Sequence, residues 1–337
     1  MKRVSINIVN WNGLHFLSDC LESVKSQTYK NIEINVVDNA SSDGSVDFLA
    51  ARYPGVNLIK NAKNEGFSRA HNQAIRISSG EYIIPLNFDI TLTSTFVEEM
   101  VKAAEASPEI GIVSGRLYIL RGGEKTHTID STGITMQGMF PADRGQNENN
   151  PAQYDKAEYV FGASGAAPLF KHEMLEDIKL NGEYFDEDFF IYVEDVDLCW
   201  RAQLYGWRTI YTPSAIAYHY RGATRKGDSG MKREYLIIGY RNRYWSIVKN
   251  AVMLNLLKNI LWIAIVELSF YAGYLLGRNF FILKVPCIVL KGAPGMLRKR
   301  SVIQKKRRVS ASYMEGFFFG DIKNFVKDKF KRMLKGV

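Results

Sequence analysis

The sequence predicts an α/β fold in which a mostly parallel central sheet is flanked by helices and followed by a helical, strongly basic C-terminal region. Over the first hundred residues, β-branched runs alternate with helical patterns, which is typical of βαβ units. Charge is unevenly distributed: residues 1–239 hold 24 Lys+Arg and 31 Asp+Glu, whereas residues 240–337 hold 20 and 4. We therefore predict a domain boundary at 239/240.

The elements of the N-terminal half follow from local patterns. Strands are predicted at 4–9, 32–37, 56–59 and 81–86. Helices are predicted to begin near Leu14, Ser45, Phe67 and Ser94. Ligands of open parallel sheets bind beyond the carboxyl ends of the strands, so the polar segments that follow these strands are the candidate site.

Two of these segments place an aspartate at or near a strand end. Asp38 precedes a Ser/Gly-rich turn in which Ser41 and Asp43 are the better helix caps, so the sequence assigns Asp38 no structural role. Its carboxylate could accept hydrogen bonds from a base or a ribose. Asp89 follows Asn87 and Phe88 after an apolar strand, and is interpreted either as a helix cap or as a ligand for Mg²⁺ or Mn²⁺.

The middle of the chain has weaker patterns. Residues 121–158 are rich in Gly, Asn, Asp and Pro, which predicts a long excursion with one hairpin near 134–140. A strand is predicted at 207–213, and His219 lies downstream of it among aromatic residues. An isolated histidine is usually structural, but His219 is a candidate second metal ligand if it faces Asp89.

Three acids begin a predicted helix in FFIYVEDVDLCWRAQLYGW (189–207). Asp197 and Arg201 stand in the i,i+4 relation that favours a surface ion pair. Capping uses only one acid, so Glu194 and Asp195 do not both have a structural role. A carboxylate here that faces a crevice could accept a proton from an attacking hydroxyl.

The C-terminal region predicts association with an anionic membrane surface. Residues 259–277 form an apolar run with a single charge, Glu267, which would span about 28 Å as a helix. A central glutamate costs roughly 3 kcal/mol on insertion scales, so a helix lying in the interface, or a hairpin with 280–290, is as consistent as a transmembrane span. From Gly316 onward, apolar and basic residues alternate at helical spacing, which is typical of a basic amphipathic helix on a membrane surface.

Composition excludes several other classes. The chain is 46% hydrophobic and 23% charged, as globular proteins are, and its three cysteines, Cys20, Cys199 and Cys287, form neither a disulfide framework nor a zinc motif. The first apolar run is too short for the core of a signal peptide, so a reducing cytoplasm is expected. No G-x-G-x-x-G follows the first strand, which disfavours a dinucleotide enzyme.

Four ordered motifs resemble one family. They are VNWNG (9–13), VVDNASSDGS (36–45), NEGFSRAHNQAI (64–75) with the later LNFD (86–89), and the segment 185–222. Together they resemble the family 2 glycosyltransferases, which have the GT-A fold of nucleotide-diphospho-sugar transferases, and within them the bacterial polysaccharide branch described as rhamnosyltransferase-like. The resemblance covers roughly residues 3–222 and leaves out the C-terminal quarter.

The resemblance implies a nucleotide-sugar site and a loop beside it. Asp38 and the backbone around Val9, Asn10 and Trp11 would contact the nucleoside. The rest of the nucleotide-sugar pocket would be lined by Asn64, Gly66, Asn72, Asn87 and Phe88. The loop near the sugar and the acceptor would be formed by Gly162, Ala163, Ser164 and Gly165.

The resemblance also implies the catalytic groups. Asp89 and His219 would hold a divalent cation, Mn²⁺ or Mg²⁺, Asp195 would be the general base, and Glu194 would orient the base or the acceptor. Asn87 stands where the family's metal motif begins with an acid, which weakens the metal site by one carboxylate.

The implied reaction is an inverting transfer to a hydroxyl of a lipid-linked or polysaccharide acceptor. The donor would be dTDP-rhamnose, or another UDP- or dTDP-hexose. The expected location is the cytoplasmic face of the membrane, with no nucleic-acid partner and with homo-oligomerisation left open. Two alternatives are a nucleotidyltransferase, which would need a basic glycine-rich loop that VNWNGLHFL lacks, and a non-catalytic membrane-bound scaffold of the same fold.

Overall fold

A mixed β-sheet forms the centre of the protein, whose computed structural model describes residues 1–149, 151–220 and 229–318. The strands are β1 (Val4–Asn10), β2 (Ile32–Asp38), β3 (Asn57–Lys60), β4 (Tyr82–Asn87), β5 (Ile90–Leu92), β6 (Ile110–Arg121), β7 (Glu124–Ser131), β8 (Ile134–Gln137), β9 (Phe140–Asp143), β10 (Glu158–Val160), β11 (Leu169–Lys171) and β12 (Arg208–His219).

Helices cover both faces of this sheet and continue into the C-terminal region. They are α1 (Leu14–Lys25), α2 (Ser45–Arg52), α3 (Gly66–Ile77), α4 (Phe96–Glu105), α5 (His172–Ile178), α6 (Glu194–Leu204), α7 (Ser229–Asn250), α8 (Met253–Leu276), α9 (Lys284–Lys306) and α10 (Ala311–Glu315). Short 3₁₀ turns occupy Pro151–Tyr154, Glu187–Phe189 and Phe280–Leu283.

The sheet order is β10-β12-β6-β11-β4-β1-β2-β3, with β5 paired to β12 and β7 paired to β6. The strands from β4 to β3 are all parallel, as the alternation of strands and helices predicts. β1 is buried along nearly its whole length, because helices cover a parallel strand on both faces. The second half is mixed: β11 runs antiparallel to β4 and β6, whereas β6 and β12 are parallel.

The excursion at 121–158 contains more structure than the sequence predicts. The hairpin near 134–140 is confirmed as β8 and β9, but β7 also pairs with β6. β7 has no hydrophobic alternation because its first half is largely exposed and only its last three residues are buried. The strand predicted at 207–213 continues to His219, since β12 runs on across β6 and β5.

The C-terminal helices pack directly on the α/β part of the chain. The predicted boundary at 239/240 falls inside α7, which lies against α9 and α6. The Lys249 ammonium group is fully buried and binds the carboxylates of Asp186 and Asp197, and Lys299 binds Asp186 at 2.5 Å. Burial alone would raise the pKa of Asp186, but the charges of Lys249 and Lys299 and their hydrogen bonds hold it well below its ordinary value.

Two segments of this region, Met253–Leu276 and Phe280–Lys306, are long and apolar enough to cross a membrane by length and composition alone. The exposed side of α8 is almost entirely apolar, and Leu261 and Leu268 expose 76% and 71% of their surface. The opposite side packs on the protein: Trp262 is buried against β9, and Glu267 binds Arg243 and Tyr244 of α7. The basic amphipathic helix predicted from Gly316 lies, from residue 319 onward, outside the described residues.

Candidate active site

A cavity of about 420 Å³ opens at the carboxyl ends of β1 and β4. Its walls come from the segments after these strands, the start of α3, the loop 164–166, the β8–β9 hairpin, residues 190–196 and His219. Of the predicted site residues, those that line the cavity are Val9, Trp11, Asn64, Gly66, Asn87, Phe88, Asp89, Ser164, Gly165, Glu194, Asp195 and His219. The position beyond the carboxyl ends of parallel strands is where this architecture binds ligands.

Asn10 and Asp38 lie at the ends of β1 and β2 and are not part of the cavity wall. Both are buried, and Asn10 Nδ2 donates to Asp38 Oδ1 at 2.8 Å while the Ser41 amide donates to Asp38 Oδ2 at 2.9 Å. The interpretation that Asp38 has no structural role is therefore wrong. Parallel pairing puts Asn10 opposite Asp38, so the two strand ends are joined through their own side chains.

The glycine at the start of α3 is required by its surroundings. Gly66 has φ +81°, and a Cβ there would lie 2.5 Å from the Phe190 ring. Asn64 accepts a hydrogen bond from the Gly66 amide at 2.9 Å, which shapes the turn into the helix. The prediction that Asn72 lines the pocket is wrong: Asn72 is fully buried and exchanges hydrogen bonds with the Phe185 backbone, because its helix turns that side chain away from the cavity.

The predicted metal ligands are brought together by strand pairing. β5 pairs with β12 so that His219 is opposite Ile90, which puts the imidazole beside Asp89, with Nε2 to Oδ1 at 3.4 Å. Nδ1 of His219 is hydrogen-bonded to Asp130 at 2.8 Å. Burial lowers the pKa of His219, but hydrogen bonds and charges from Asp130 and Asp89 outweigh it and raise the pKa to about 9.

Once Nε2 of His219 has lost its proton, which a bound cation would replace, this pair is chemically suited to a divalent cation. A carboxylate and an imidazole whose other nitrogen binds a second carboxylate are a common protein contribution to a metal site. Within the described residues, no group of three or more His, Cys, Asp or Glu side chains is arranged to hold an ion. A cation between Asp89 and His219 would therefore depend on oxygens supplied by substrate and water, as Mg²⁺ sites on phosphates do.

Asp195 lies in the first turn of α6 and faces the cavity. Its Oδ2 accepts a hydrogen bond from the Gly165 amide and its Oδ1 one from the Val196 amide, both at 2.8 Å. Burial raises the pKa of Asp195 to about 6, and the two amide hydrogen bonds oppose that rise. The group is therefore ionised at neutral pH yet basic enough to accept a proton.

Glu194 is the more deeply buried acid, with 6% of its surface exposed. Burial and the neighbouring charge of Asp195 raise the pKa of Glu194 well above its ordinary value. Within the described part of the chain, its Oε2 has no hydrogen-bond partner. A protonated Glu194 can donate a hydrogen bond, which an ionised one cannot.

Two other predictions need correction. Asp197 and Arg201 do pair, at 3.1 Å, but both are buried, because α7 covers this side of α6 and adds Lys249 and Asn250 as partners of Asp197. Gly162 and Ala163 do not line the cavity. They lie behind Ser164 against Cys199, where a Cβ on Gly162 would lie 2.7 Å from that cysteine's own Cβ.

Among the contributors to the site that sequence reasoning missed are Asp130, Tyr235 and residues 190–193. Asp130 is in a strand without hydrophobic alternation, so no pattern indicated that it meets His219. Tyr235 reaches the cavity from α7, in the part of the chain predicted as the catalytic domain's end. Residues 190–193 were interpreted only as an apolar run, although they form a wall of the cavity.

The chain is similar to known proteins over much of its length. Residues 5–176, just over half of the chain, match the model of the family described as glycosyl transferase family 2. One relative is the N-acetylglucosaminyl-diphospho-decaprenol L-rhamnosyltransferase of Mycobacterium tuberculosis, 24% identical over 67% of this chain and 80% of its own. Another is the poly-beta-1,6-N-acetyl-D-glucosamine synthase of Staphylococcus epidermidis, 24% identical over 78% of this chain and 63% of its own. The chain spans 27% of a third relative, from Sinorhizobium fredii.

Two solved structures share the fold. GalNAc-T7 with UDP, GalNAc and Mn²⁺ superposes with a TM-score of 0.59 at 16% identity, over 74% of this chain and 48% of its own. The mannosyltransferase of Pyrobaculum calidifontis in complex with GDP-Man and Mn²⁺ superposes with a TM-score of 0.51 at 16% identity, over 90% and 87% of the two chains.

Proposed function

The chain belongs to glycosyl transferase family 2, and from that premise we propose that it is an inverting hexosyltransferase using a nucleoside diphosphate sugar. The observation that carries the proposal is that Asp195 lines the same cavity as the pair Asp89 and His219. A base and an anion-stabilising centre on one cavity are what a single displacement at a sugar carbon requires.

The donor is held at the strand ends. Trp11 and Val9 provide the wall on the nucleoside side, and Asn64, Gly66 and Asn87 line the route to the diphosphate. Asp89 and His219 would hold Mn²⁺ or Mg²⁺, and a cation bound there supplies positive charge to the departing nucleoside diphosphate. The UDP, GalNAc and Mn²⁺ of the first of the two structures and the GDP-Man and Mn²⁺ of the second support this choice of cofactor and donor.

Asp195 acts on the acceptor. The acceptor oxygen attacks the anomeric carbon on the face opposite the diphosphate while the bond to the diphosphate oxygen breaks, and this single displacement inverts the anomeric centre. The proton of the acceptor hydroxyl passes to the Asp195 carboxylate. Its two backbone amide bonds hold the carboxylate in place without neutralising it. No second acid is needed, because a diphosphate leaves without protonation, unlike the alcohol released by a glycoside hydrolase.

Within this reaction class, we propose a rhamnosyl or other hexosyl donor carried on dTDP or UDP and a lipid-linked or polysaccharide acceptor. The rhamnosyltransferase and the polysaccharide synthase among the relatives support these substrates.

We propose that the protein sits on the cytoplasmic face of a membrane through α8 and α9 without spanning it. The side of α8 opposite its exposed apolar face carries Asn255, Asn259 and Glu267, which bind other parts of the protein. A helix bound to the rest of the chain along one side presents only its other side to lipid, which favours the interfacial position over a transmembrane span at 259–277.

Donor turnover tests the enzymatic proposal. Purified protein would be incubated with dTDP-rhamnose and UDP- or dTDP-hexoses, with Mn²⁺ or with EDTA, and with a synthetic polyprenyl-diphosphate sugar as acceptor. We expect release of the nucleoside diphosphate and a product of inverted anomeric configuration by NMR, and loss of both with EDTA. Release of pyrophosphate in a parallel incubation with a nucleoside triphosphate and a hexose 1-phosphate would instead indicate a nucleotidyltransferase. No turnover with any donor would support the scaffold alternative.

A further inference from the structure

The segment between β11 and α6 contains a strained arch, which we define as residues 190–193. Phe190, Tyr192 and Val193 have φ of +64°, +69° and +71°. Positive φ in bulky residues, above all in a β-branched one, is a conformational outlier. Such backbone persists only where its surroundings hold it, and the arch contains no glycine that would adopt it freely.

One side chain of α7 holds most of the arch. Asn242 is fully buried, and its Nδ2 lies 2.8 Å from the carbonyl oxygen of Phe189, 2.9 Å from that of Ile191 and 2.7 Å from that of Tyr192. An amide nitrogen has two hydrogens, so one of them is shared between two of these three carbonyl oxygens. Its Oδ1 accepts from Arg241 Nε at 2.9 Å and Nη2 at 2.8 Å, which fixes the orientation of the amide.

The arch in turn joins the two helices that form the site. The carbonyl oxygen of Phe190 accepts from the amides of Phe67 at 2.7 Å and Ser68 at 3.2 Å, in the first turn of α3. The carbonyl oxygen of Val193 accepts from the Asp197 amide at 2.9 Å, in the first turn of α6. A change in the arch therefore moves both the donor wall at Gly66 and the backbone that carries the proposed base.

We propose that Asn242 is a positioning residue for sugar transfer: it holds the arch, and through the arch it sets the place of the Asp195 carboxylate. This inference rests on the proposed function, because it names a role in that reaction. Asn242 touches neither the cavity nor a reacting atom, so its effect is on where Asp195 lies and not on the chemistry itself. Through Asn242, α7 would help to position the active site, although most of this helix lies in the C-terminal region.

Matched asparagine substitutions test the role. Asn242→Ala removes the amide, and Asn242→Asp keeps its size but turns a carboxylate toward three carbonyl oxygens, so both should loosen the arch. Asn255→Ala is the control, because Asn255 is equally buried on α8 but donates to Ala311 and Glu315. We expect kcat to fall at least tenfold in both Asn242 variants with the donor KM changed less than threefold, and to stay within twofold in the control.

Backbone rescue separates positioning from a general loss of folding. Val193→Gly places a residue that accepts φ near +71° at the end of the arch, so adding it to Asn242→Ala should recover part of the lost kcat. Equal losses in the Asn242 and Asn255 variants, or an unchanged kcat in both Asn242 variants, would overturn the inference.

Hydrogen exchange tests the inference without relying on activity. Amides of residues 190–197 should exchange at least tenfold faster in Asn242→Ala than in the wild type, with no such change in Asn255→Ala. Wild-type rates in this segment of the Asn242 variant would refute the inference. Wild-type protein that transfers no sugar would instead count against the proposed function, so the two failures are distinguishable.

Discussion

Replacing Asp195 with asparagine removes a carboxyl group whose ionisation is opposed by burial. The pKa of Asp195 is raised from 3.8 to about 6, and about 1.4 kcal/mol corresponds to one pKa unit, so the full shift is worth ~3 kcal/mol. The side chain is partly exposed to the cavity, and we expect solvent to reduce this value to about half, ~1.5 kcal/mol.

The sign follows from the direction of the shift. An acid whose pKa is raised by folding stabilises the folded state below pH 3.8, and that stabilisation is lost as the pH rises through about 6. Asparagine does not titrate. The free energy of unfolding of Asp195→Asn should therefore increase relative to the wild type between mild acid and pH 8, while sugar transfer falls by about 10²–10⁴-fold with the loss of the base.

The assay compares urea unfolding of the two proteins from pH 4 to pH 8, the range in which most of this change occurs. Asparagine keeps only one side-chain oxygen, so one of the amides of Gly165 and Val196 loses its acceptor, at about 1 kcal/mol at every pH. Because this loss does not depend on pH, the test is how the difference between the two free energies of unfolding changes with pH. Asp47→Asn, the same substitution on an exposed face of α2, is the control and should show no such change.

Activity of the wild type provides the second measurement. kcat/KM should rise with pH through about 6 and level off above it, since only the ionised carboxylate accepts a proton. Asp195→Asn with more than a tenth of wild-type activity, or a stability difference that does not change with pH, would refute the assignment of Asp195 as a buried base.

Three further predictions concern the scaffold around the site. Lys249→Met leaves two buried carboxylates without their shared partner and should lower the free energy of unfolding by about 3–5 kcal/mol in urea titrations; a loss below about 1 kcal/mol would contradict the buried network. Gly66→Ala should abolish donor binding in calorimetry, because the new methyl group would lie 2.5 Å from Phe190. Unchanged affinity for the donor would contradict this prediction, since it would mean that Phe190 can move aside without loss of the binding site. Leu261→Glu combined with Leu268→Glu should reduce flotation with anionic vesicles at least fivefold at unchanged thermal stability, whereas wild-type flotation would count against membrane docking through α8.

The N-terminal half could be predicted because local signals there agree with the fold. The first four strands are parallel, and a helix follows each of the first three, so the alternation along the chain matches the sheet. Strand-end position then indicated Asp89, and the ordered motifs indicated His219 and Asp195. All three line one cavity.

The remaining features depend on contacts that no local pattern encodes. Asp38 was assigned no structural role because its partner Asn10 is distant in sequence and becomes its neighbour only through strand pairing. Asp197 was interpreted as a surface residue because its covering helix, α7, has no hydrophobic periodicity that points to α6. The arch at 190–193 has no glycine, so no residue type in it indicates positive φ.

The buried network around Asp186 also has a consequence for the order of events during synthesis. Its two lysine partners follow it in the chain by 63 and 113 residues. At about 5–20 residues per second, the ribosome adds them roughly 3–13 s and 6–23 s after the aspartate. Until then the helix that carries Asp195 lacks part of its cover. The buried network is therefore completed only after α8 and more than half of α9 have been synthesised.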